Sequence, residues 1–271
     1  MLVRTRNPLN IGAAARAMSN FGFRHLRFVN PYEVAFREAR SAVGASALLA
    51  SAEEYETVAE AVADCTLVVG STAVRERELH HSVRRLERGA QLIHKQLASS
   101  PVALLFGSER YGLSNADLSH CHWLMRIPTG EQNISMNLGQ AVAVCLYELV
   151  RDAHAITESA NPTMKKKGPN KKKGEAGKEK HSRANTSVGP GDANLPAKAA
   201  DMERLTTLLF EVLRTTRYWH PGSGASTEEK VRRLVRRLSI PAGDAEVWLG
   251  ILRQIMWKIR SVDKSQDKSP T

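Results

Sequence analysis

The sequence has little cysteine, few aromatic residues and no long apolar run. Its 271 residues include only 3 cysteines, Cys65, Cys121 and Cys145, which lie far apart in the chain. This odd number and spacing exclude a disulfide framework and a paired Cys-x-x-Cys zinc site, and they fit a reducing compartment. No run reaches the roughly 20 apolar residues of a bilayer span, and residues 1–6 lack the apolar core of a signal peptide. We therefore expect a cytoplasmic protein that does not enter a membrane.

Acidic residues are also comparatively few, since 28 Asp plus Glu stand against 39 Lys plus Arg, a formal net charge of +11. The excess is unevenly distributed. Residues 1–160 carry none of it, residues 161–200 carry +7 and residues 201–271 carry +4. A basic excess of this size indicates a polyanionic partner. We expect the middle and C-terminal segments to bind it.

Short apolar runs alternate with helical patterns over the first part of the chain. Strands are predicted over residues 25–29, 66–70, 102–106 and 123–127, and helices over residues 11–20, 53–63, 83–97 and 138–154. The strand runs lack polar alternation, which is typical of strands covered on both faces. This order predicts an α/β domain over residues 1–160, with a parallel sheet and helices on both faces.

The remainder of the chain divides into three segments. Gly, Pro and Lys account for 18 of the 40 residues from 161 to 200, a composition typical of a disordered linker. Helical apolar spacing returns over residues 201–262 and predicts a small all-α C-terminal domain of about three helices. Residues 263–271 are predicted to be a disordered tail.

A glycine-rich loop, Gly107-Ser108-Glu109-Arg110-Tyr111-Gly112, follows the third predicted strand. Its glycines have the spacing of a phosphate-binding loop, but Leu113-Ser114 follow where such a loop carries its lysine, and no G-x-G-x-x-G follows any strand. The pattern argues against nucleoside triphosphate hydrolysis and against the usual dinucleotide fold. The loop is either a plain turn or a place where a ligand approaches the backbone closely.

Two other segments have polar residues next to predicted helices. Asn10 opens an alanine-rich helix that carries Arg16 about one and a half turns later, where a solvated arginine is an equally good interpretation. Residues 127–138 form a polar loop from the last strand into a long helix, the position at which α/β proteins bind ligands. Within that loop, Ser135 or Asn137 is alternatively the N-cap of the helix.

The three segments together resemble the SPOUT superfamily of RNA methyltransferases, and within it the TrmH/SpoU 2′-O-ribose methyltransferases. The resemblance covers residues 1 to about 155 and rests on Asn10-x-Gly12-x-x-x-Arg16, Phe106-Gly107-x-Glu109-x-x-Gly112-Leu113, and Ile127-Pro128 with Ser135-x-Asn137-Leu138-x-x-Ala141-Val142. Residues 29–31, residues 68–73 and the helical C-terminal extension look most like the TrmJ-type branch, which methylates riboses in the tRNA anticodon loop.

This resemblance implies a deep C-terminal trefoil knot, a homodimer formed through the knot, and S-adenosylmethionine as methyl donor. The donor is expected to contact mostly backbone groups of Ser71, Thr72, Ala73, Phe106, Gly107, Glu109, Gly112, Ile127, Ser135, Met136 and Leu138. A sulfonium needs no metal to activate its methyl group, so we expect no metal ion. The adjacent pairs His80-His81 and Cys121-His122 are accordingly predicted to be structural or to face solvent.

The resemblance also implies that Arg16 acts across the dimer, positioned by Asn10, Ser135 and Asn137. Because the pKa of an arginine lies above about 12, two roles remain open. Arg16 is either the base that takes the 2′-hydroxyl proton, or a clamp on the adjacent phosphate and on the developing alkoxide while water takes the proton.

RNA binding is expected from Arg6 and from a basic helix face in the C-terminal domain that carries Arg232, Arg233, Arg236 and Arg237. Tyr218 and Trp219 either stack on a base or anchor the helices, and the linker lysines are either an electrostatic tether or a spacer. The predicted function is tRNA 2′-O-methylation. The alternatives are methylation of ribosomal RNA and, from another class, RNA binding without catalysis.

Overall fold

The computed structural model describes residues 1–41, 47–73, 80–160, 195–218 and 224–266. Every strand pair within these ranges is parallel, which confirms the predicted sheet type. The strands are β1 (Leu2–Val3), β2 (Arg27–Val29), β3 (Glu53–Tyr55), β4 (Leu67–Ser71), β5 (Val83–Arg85), β6 (Val102–Leu105) and β7 (Trp123–Arg126). Four of them lie within or next to the predicted apolar runs.

Helices connect most of the strands and make up the rest of the regular structure. They are α1 (Pro8–Asn20), α2 (Glu33–Ser41), α3 (Ala47–Ala50), α4 (Val58–Ala61), α5 (Leu86–Leu97), α6 (Asn115–Ser119), α7 (Leu138–Ala160), α8 (Ala199–Thr215), α9 (Gly224–Leu238) and α10 (Ala242–Gln266). None of the helices in the described ranges is long and apolar enough to cross a membrane.

The strands form two sheets, in the orders β1-β2-β3 and β5-β7-β4-β6. Backbone hydrogen bonds around Phe106 join them: the Val3 N–H donates to the Phe106 carbonyl at 2.8 Å, and the Phe106 N–H donates to the Met1 carbonyl at 3.0 Å. β1 therefore runs beside the end of β6, and the two sheets make one continuous layer. The carboxyl ends of β1, β4, β6 and β7 share one edge of that layer.

Alternate strand residues point into two separate apolar layers, because successive side chains of a strand point to opposite faces. Leu2 and Phe28 pack with residues of α1, α2, α5 and α7. Val3 and Val29 pack instead with residues of α4, α6 and the first turn of α8. Helices thus cover both faces of the sheet, as the unbroken apolar strands predicted.

Two of the predicted helices are wrong over their first residues. Within residues 53–63, Glu53–Tyr55 is strand β3, paired with β2, and helix α4 is short. Thr57 starts α4 because it forms a capping box, in which its side chain accepts from the Glu60 N–H and the Glu60 carboxylate accepts from the Thr57 N–H. Within residues 83–97, Val83–Arg85 is strand β5, paired with β7, and α5 begins only at Leu86.

Helices α8, α9 and α10 share an apolar cluster that includes Met202, Val235 and Leu249. They also contact the α/β region: the Ala199 N–H donates to the Cys65 carbonyl at 2.8 Å, and α9 lies against α6. Of the predicted linker, residues 161–194 lie outside the described residues, and α8 begins at Ala199, before the predicted end of the linker. Helix α10 continues to Gln266, into the predicted tail.

Candidate active site

Helix α1 begins at the carboxyl edge of the sheet, directly after β1. Asn7 caps it, since its side chain accepts a hydrogen bond from the Leu9 N–H, and Pro8 occupies the first turn, where a backbone N–H has no helical partner. The cap orients the first turn so that Asn10, which is only 9% exposed, faces the protein interior.

The carboxylate of Glu109 joins the glycine-rich loop to the start of α1. Its oxygens accept hydrogen bonds from the Arg6 N–H at 3.2 Å, the Asn7 N–H at 3.3 Å and the Asn10 side-chain amide at 3.1 Å. Three donors converge on one carboxylate, so the position of the loop and the position of the helix depend on each other. The structure thus gives Glu109 a positioning role in addition to its expected contact with the methyl donor.

Asn10 and Asn137 extend this network to helix α7. The Asn137 side-chain amide donates to Asn10 Oδ1 at 2.8 Å, and Asn137 Oδ1 accepts from the Gly139 N–H at 2.9 Å and the Gln140 N–H at 3.3 Å. Asn137 therefore caps α7 and holds Asn10 at the same time. The sequence offered two interpretations of Asn137, a residue of the catalytic site and the N-cap of the helix. The two are compatible, because one side-chain amide has enough donors and acceptors to cap α7 and to hold Asn10.

The glycine-rich loop closes on itself and needs both of its glycines. A Cβ at Gly107 would lie 2.1 Å from the backbone carbon of Gly112, too close for any side chain. Gly112 has φ +67°, a conformation that favours glycine, and its N–H donates to the Ser108 carbonyl at 2.8 Å. The loop is consequently a fixed turn whose backbone is accessible from one side.

A cleft of about 680 Å³ lies at the carboxyl edge of the sheet, where β4, β6 and β7 end. The glycine-rich loop, the loop after β7 and residues 71–73 after β4 all line it. Every residue expected to hold the methyl donor is part of this lining, together with Asn10 and Asn137. Switch-point clefts of this kind are the usual ligand sites of α/β sheets.

Arg16 stands apart from the other predicted catalytic residues. It is exposed on α1 and does not line the cleft. Ser135 lies in the cleft lining, at its exposed mouth. A single chain thus brings Asn10, Ser135 and Asn137 together but leaves Arg16 outside their cleft.

The predicted basic face of the C-terminal helices is wrong for Arg236, and Arg232 and Arg233 are also mostly enclosed. Arg236 is 0% exposed and donates to the Ala199 carbonyl at 3.2 Å and to Glu203 at 3.1 Å. Arg232 also donates to Glu203, at 3.1 Å, and Arg233 is only 8% exposed. The physical reason is that the basic face of α9 packs against α8 and α6, where Glu203 pairs with Arg232 and Arg236. Arg6 and Arg237 remain on the surface.

The histidines and cysteines next to the cleft have structural environments. His122 Nδ1 accepts a hydrogen bond from the Val68 N–H at 3.0 Å, and desolvation lowers the pKa of His122 to about 4. The three cysteines are free and buried, and burial raises the pKa of the Cys65 and Cys145 thiols to about 12. No group of His, Cys, Asp or Glu within the described ranges has the arrangement of a metal site.

Several residues that line or support the cleft were not predicted from the sequence. Arg110 and Tyr111 lie in its lining, and they occupy the positions between the matched letters of the second motif. Arg4 forms an ion pair with Asp117 and also donates to Ser114, at 3.3 Å, which ties β1 to α6. The spacing Ser114-x-x-Asp117 is the sequence signal for the capping box that starts α6.

Comparison with known proteins identifies the family. The chain matches the SpoU rRNA Methylase family over residues 1–147. It is 32% identical over 275 residues to the tRNA (cytidine/uridine-2'-O-)-methyltransferase TrmJ of Sodalis glossinidius, covering 100% of this chain and 94% of that protein. For the TrmJ of Yersinia enterocolitica, the identity is 32% over 274 residues, covering 100% and 92%.

A solved structure supports the same assignment. The crystal structure of TrmJ from Z. mobilis ZM4 superposes with a TM-score of 0.71 at 30% identity, covering 94% of this chain and 97% of that chain. The resemblance found in the three motifs is confirmed, and the likeness continues into the C-terminal helices. The chain therefore belongs to the SpoU rRNA methylase family.

Proposed function

We propose that this protein transfers a methyl group from S-adenosylmethionine to a ribose 2′-hydroxyl in the anticodon loop of tRNA. The observation that carries the proposal is the meeting of three distant sequence segments in one cleft at the carboxyl edge of the sheet. The relatives that match the whole chain are tRNA (cytidine/uridine-2'-O-)-methyltransferases, which favours tRNA over ribosomal RNA as the substrate.

The cleft fits S-adenosylmethionine in size and in chemistry. Its volume of about 680 Å³ lies within the range of small-molecule sites, roughly 300–1,000 Å³. The glycines at 107 and 112 and the short side chains of Ser71 and Ala73 leave backbone groups accessible, which suits an adenosyl group that carries no phosphate. When bound, S-adenosylmethionine supplies a methyl group activated by its sulfonium.

The residues of the chain orient the reactants and handle the proton. The hydrogen bonds among Glu109, Asn10 and Asn137 hold the first turns of α1 and α7 at the cleft. Preorganised polar groups of this kind lower the cost of ordering the site during the reaction. We assign to Arg16 either the removal of the 2′-hydroxyl proton or the clamping of the adjacent phosphate and the developing alkoxide.

The position of Arg16 argues for a homodimer. Six residues of α-helix turn by about 600°, which places Arg16 about 120° around α1 from Asn10 and away from the cleft of its own subunit. We propose a dimer formed through the catalytic domain that brings Arg16 of one subunit to the cleft of the other. The loops after β6 and β7, which line one cleft together, are the segments that we propose to form the trefoil knot.

We propose that α8, α9 and α10 form an all-α domain that binds RNA. Its exposed basic residues include Arg237 and Lys258, which suit phosphate contacts without base specificity. The three cysteines are free, which suits a reducing compartment, and we propose that the enzyme is cytoplasmic.

Methyl transfer is tested with purified protein, methyl-labelled S-adenosylmethionine and unmodified transcripts of tRNA and ribosomal RNA. We expect label in tRNA, and mass spectrometry of nuclease digests should place it on a ribose in the anticodon loop. Label in ribosomal RNA alone would support the first alternative. No transfer to RNA would contradict the proposal. If calorimetry also detected no binding of S-adenosylmethionine, that result would favour an RNA-binding protein that lacks catalysis.

Arg16 is tested by the variant Arg16→Ala. We expect turnover to fall by about 100-fold or more, the usual contribution of a proton-transfer group, with unchanged affinity for S-adenosylmethionine. Arg24→Ala is the control because Arg24 is also exposed but precedes β2, at the opposite edge of the sheet. Near wild-type turnover in Arg16→Ala would rule out both roles of this residue.

A further inference from the structure

Two exposed tyrosines beside the cleft are each paired with an arginine. Tyr32 is 53% exposed, and the guanidinium carbon of Arg6 lies 5.8 Å from its ring centroid. Tyr111 is 70% exposed, and the guanidinium carbon of Arg110 lies 5.1 Å from its ring centroid. Both distances are within the roughly 6 Å of a cation–π contact. Neither ring is needed to fill the core of the described structure.

Hydrogen bonds place both pairs near Glu109, one of the residues that line the cleft. The Arg6 N–H donates to the Glu109 carboxylate at 3.2 Å, and Arg110 and Tyr111 follow Glu109 directly in the chain. The Tyr32 N–H donates to the Thr5 carbonyl at 3.1 Å, which fixes Tyr32 next to Arg6. We call these four residues, Arg6, Tyr32, Arg110 and Tyr111, the tyrosine–arginine rim.

The carboxylates next to the rim are engaged elsewhere. Glu109 already accepts three N–H groups from the start of α1, and Glu33, the neighbour of Tyr32, is paired with Arg37. The guanidinium groups of Arg6 and Arg110 thus remain available to an anionic ligand. An exposed aromatic face beside such a guanidinium matches an unpaired nucleotide, whose base stacks and whose phosphate is anionic.

We propose that the tyrosine–arginine rim binds unpaired nucleotides next to the target ribose, with the tyrosines stacking on bases and the arginines contacting phosphates. The inference rests on the proposed function and names the residues that recognise the loop of its substrate. It selects a single-stranded loop over a helical stem, because the bases of a stem are stacked on each other and cannot stack on a side chain. The rim also places sequence-tolerant RNA contacts in the catalytic region, whose net charge is zero.

The test compares Tyr32→Ala and Tyr111→Ala with Tyr32→Phe and Tyr111→Phe in the full-length protein. With an anticodon stem-loop as substrate, we expect each alanine variant to raise the KM for RNA by about tenfold, the range of one lost base stack. The phenylalanine variants keep the ring and should stay within about twofold of wild type. The KM for S-adenosylmethionine should not change in Tyr32→Ala, since Tyr32 lies outside the cleft lining. The melting temperature should not change in any of the four variants, since both rings are exposed. Arg6→Ala and Arg110→Ala should likewise raise the KM for RNA, whereas Arg24→Ala, the charge control, should leave it unchanged.

A fluorescent base gives a readout that does not depend on turnover. Stem-loops with 2-aminopurine beside the target nucleotide should be quenched by wild-type protein and by the phenylalanine variants, but not by the alanine variants. If both alanine variants kept the wild-type KM for RNA and the wild-type quenching, the proposal that the rim binds nucleotides would be wrong. A change of oligomeric state in these variants would also contradict it, because that change would assign the rings to a subunit contact. If wild-type protein quenches the fluorescence but transfers no methyl group, the proposed function is wrong, but the proposal that the rim binds unpaired nucleotides is supported.

Discussion

At the scale of single residues, Gly107 is the position where the cleft tolerates least change. A side chain there would meet the backbone at Gly112 and Leu113, which cannot move without opening the loop. We expect Gly107→Ala to weaken S-adenosylmethionine binding by at least about tenfold, measured by calorimetry, because the loop backbone lines the site. Gly130→Ala is the matched control, since no atom lies within 4 Å of its added Cβ. Equal affinity in the two variants would contradict this account.

His122 makes stability depend on pH. Desolvation lowers its pKa to about 4, and its Nδ1 accepts a hydrogen bond that only the unprotonated nitrogen can accept. An unfolded histidine titrates near pH 6.5, so the unfolded chain takes up the proton first as the pH falls. The stabilisation is therefore complete above about pH 6.5 and is lost between there and pH 4, by roughly 2 kcal/mol between pH 7 and pH 5.

Urea unfolding at pH 7 and pH 5 measures this loss. His122→Asn keeps an acceptor but cannot titrate, so its free energy of unfolding should change less with pH than that of wild type. Some pH dependence should remain, because burial also lowers the pKa values of His81 and His120 to about 4. Identical pH dependence in the variant and in wild type would show that His122 does not contribute.

At the scale of elements, α9 is attached through a half-buried carboxylate on α8. Glu203 accepts hydrogen bonds from Arg232 and Arg236 and lies 3.6 Å from His120 Nδ1, on the residue that follows α6. Glu203→Gln removes the only charge paired with buried Arg236 among the described residues. We expect a loss of about 3–5 kcal/mol in the free energy of unfolding, the usual cost of breaking a buried ion pair.

Glu211→Gln is the control for this prediction. Glu211 is on the same helix and pairs with Arg260, but both side chains are substantially exposed, so its loss should cost less than about 1 kcal/mol. Denaturant unfolding of both variants gives the comparison. A double variant, Glu203→Leu with Arg236→Met, should recover part of the lost stability, since it removes the buried guanidinium of Arg236 together with its carboxylate partner. Equal effects of the two single variants would place Arg236 in contact with solvent.

The elements also show how far the sequence could predict this structure. Strand β6 was predictable because it is an unbroken apolar run, and the long helix α7 was predictable because its periodicity extends over many residues. The strands β1, β3 and β5 were not, since two or three residues show no period and Glu53–Tyr55 lies at a sheet edge with polar side chains. The motifs indicated the cleft. The spacing of arginines on α9 showed which residues share a face, but not that Glu203 would cover that face.

At the scale of the whole molecule, charge and catalysis occupy different parts of the chain. All the residues that line the cleft lie between Asn10 and Cys145, whereas the basic excess lies after residue 160. Removing residues 161–271 should therefore weaken RNA binding and flatten its dependence on salt, because fewer phosphate contacts release fewer counterions. Affinity for S-adenosylmethionine should stay within about twofold. Filter binding across a salt series and calorimetry measure the two effects.

The contacts between the two parts add a second expectation to this truncation. Ala199 covers the apolar layer around Cys65, and Arg232 reaches Ser119 at 3.5 Å. The shortened protein should accordingly melt at a lower temperature. If a folded fragment failed to bind S-adenosylmethionine, the separation of cofactor binding from the basic segments would be wrong.

The hydrogen bond between Asn137 and Asn10 also determines when the cleft can form during synthesis. Its two residues are 127 positions apart, and Glu109 and Asn10 are 99 positions apart. Contacts over such separations form late, since a long stretch of chain must first be ordered. A ribosome-bound chain that ends before Asn137 contains α1 and the glycine-rich loop but lacks the cap of α7. The cleft therefore forms only when nearly all of the catalytic region has been synthesised.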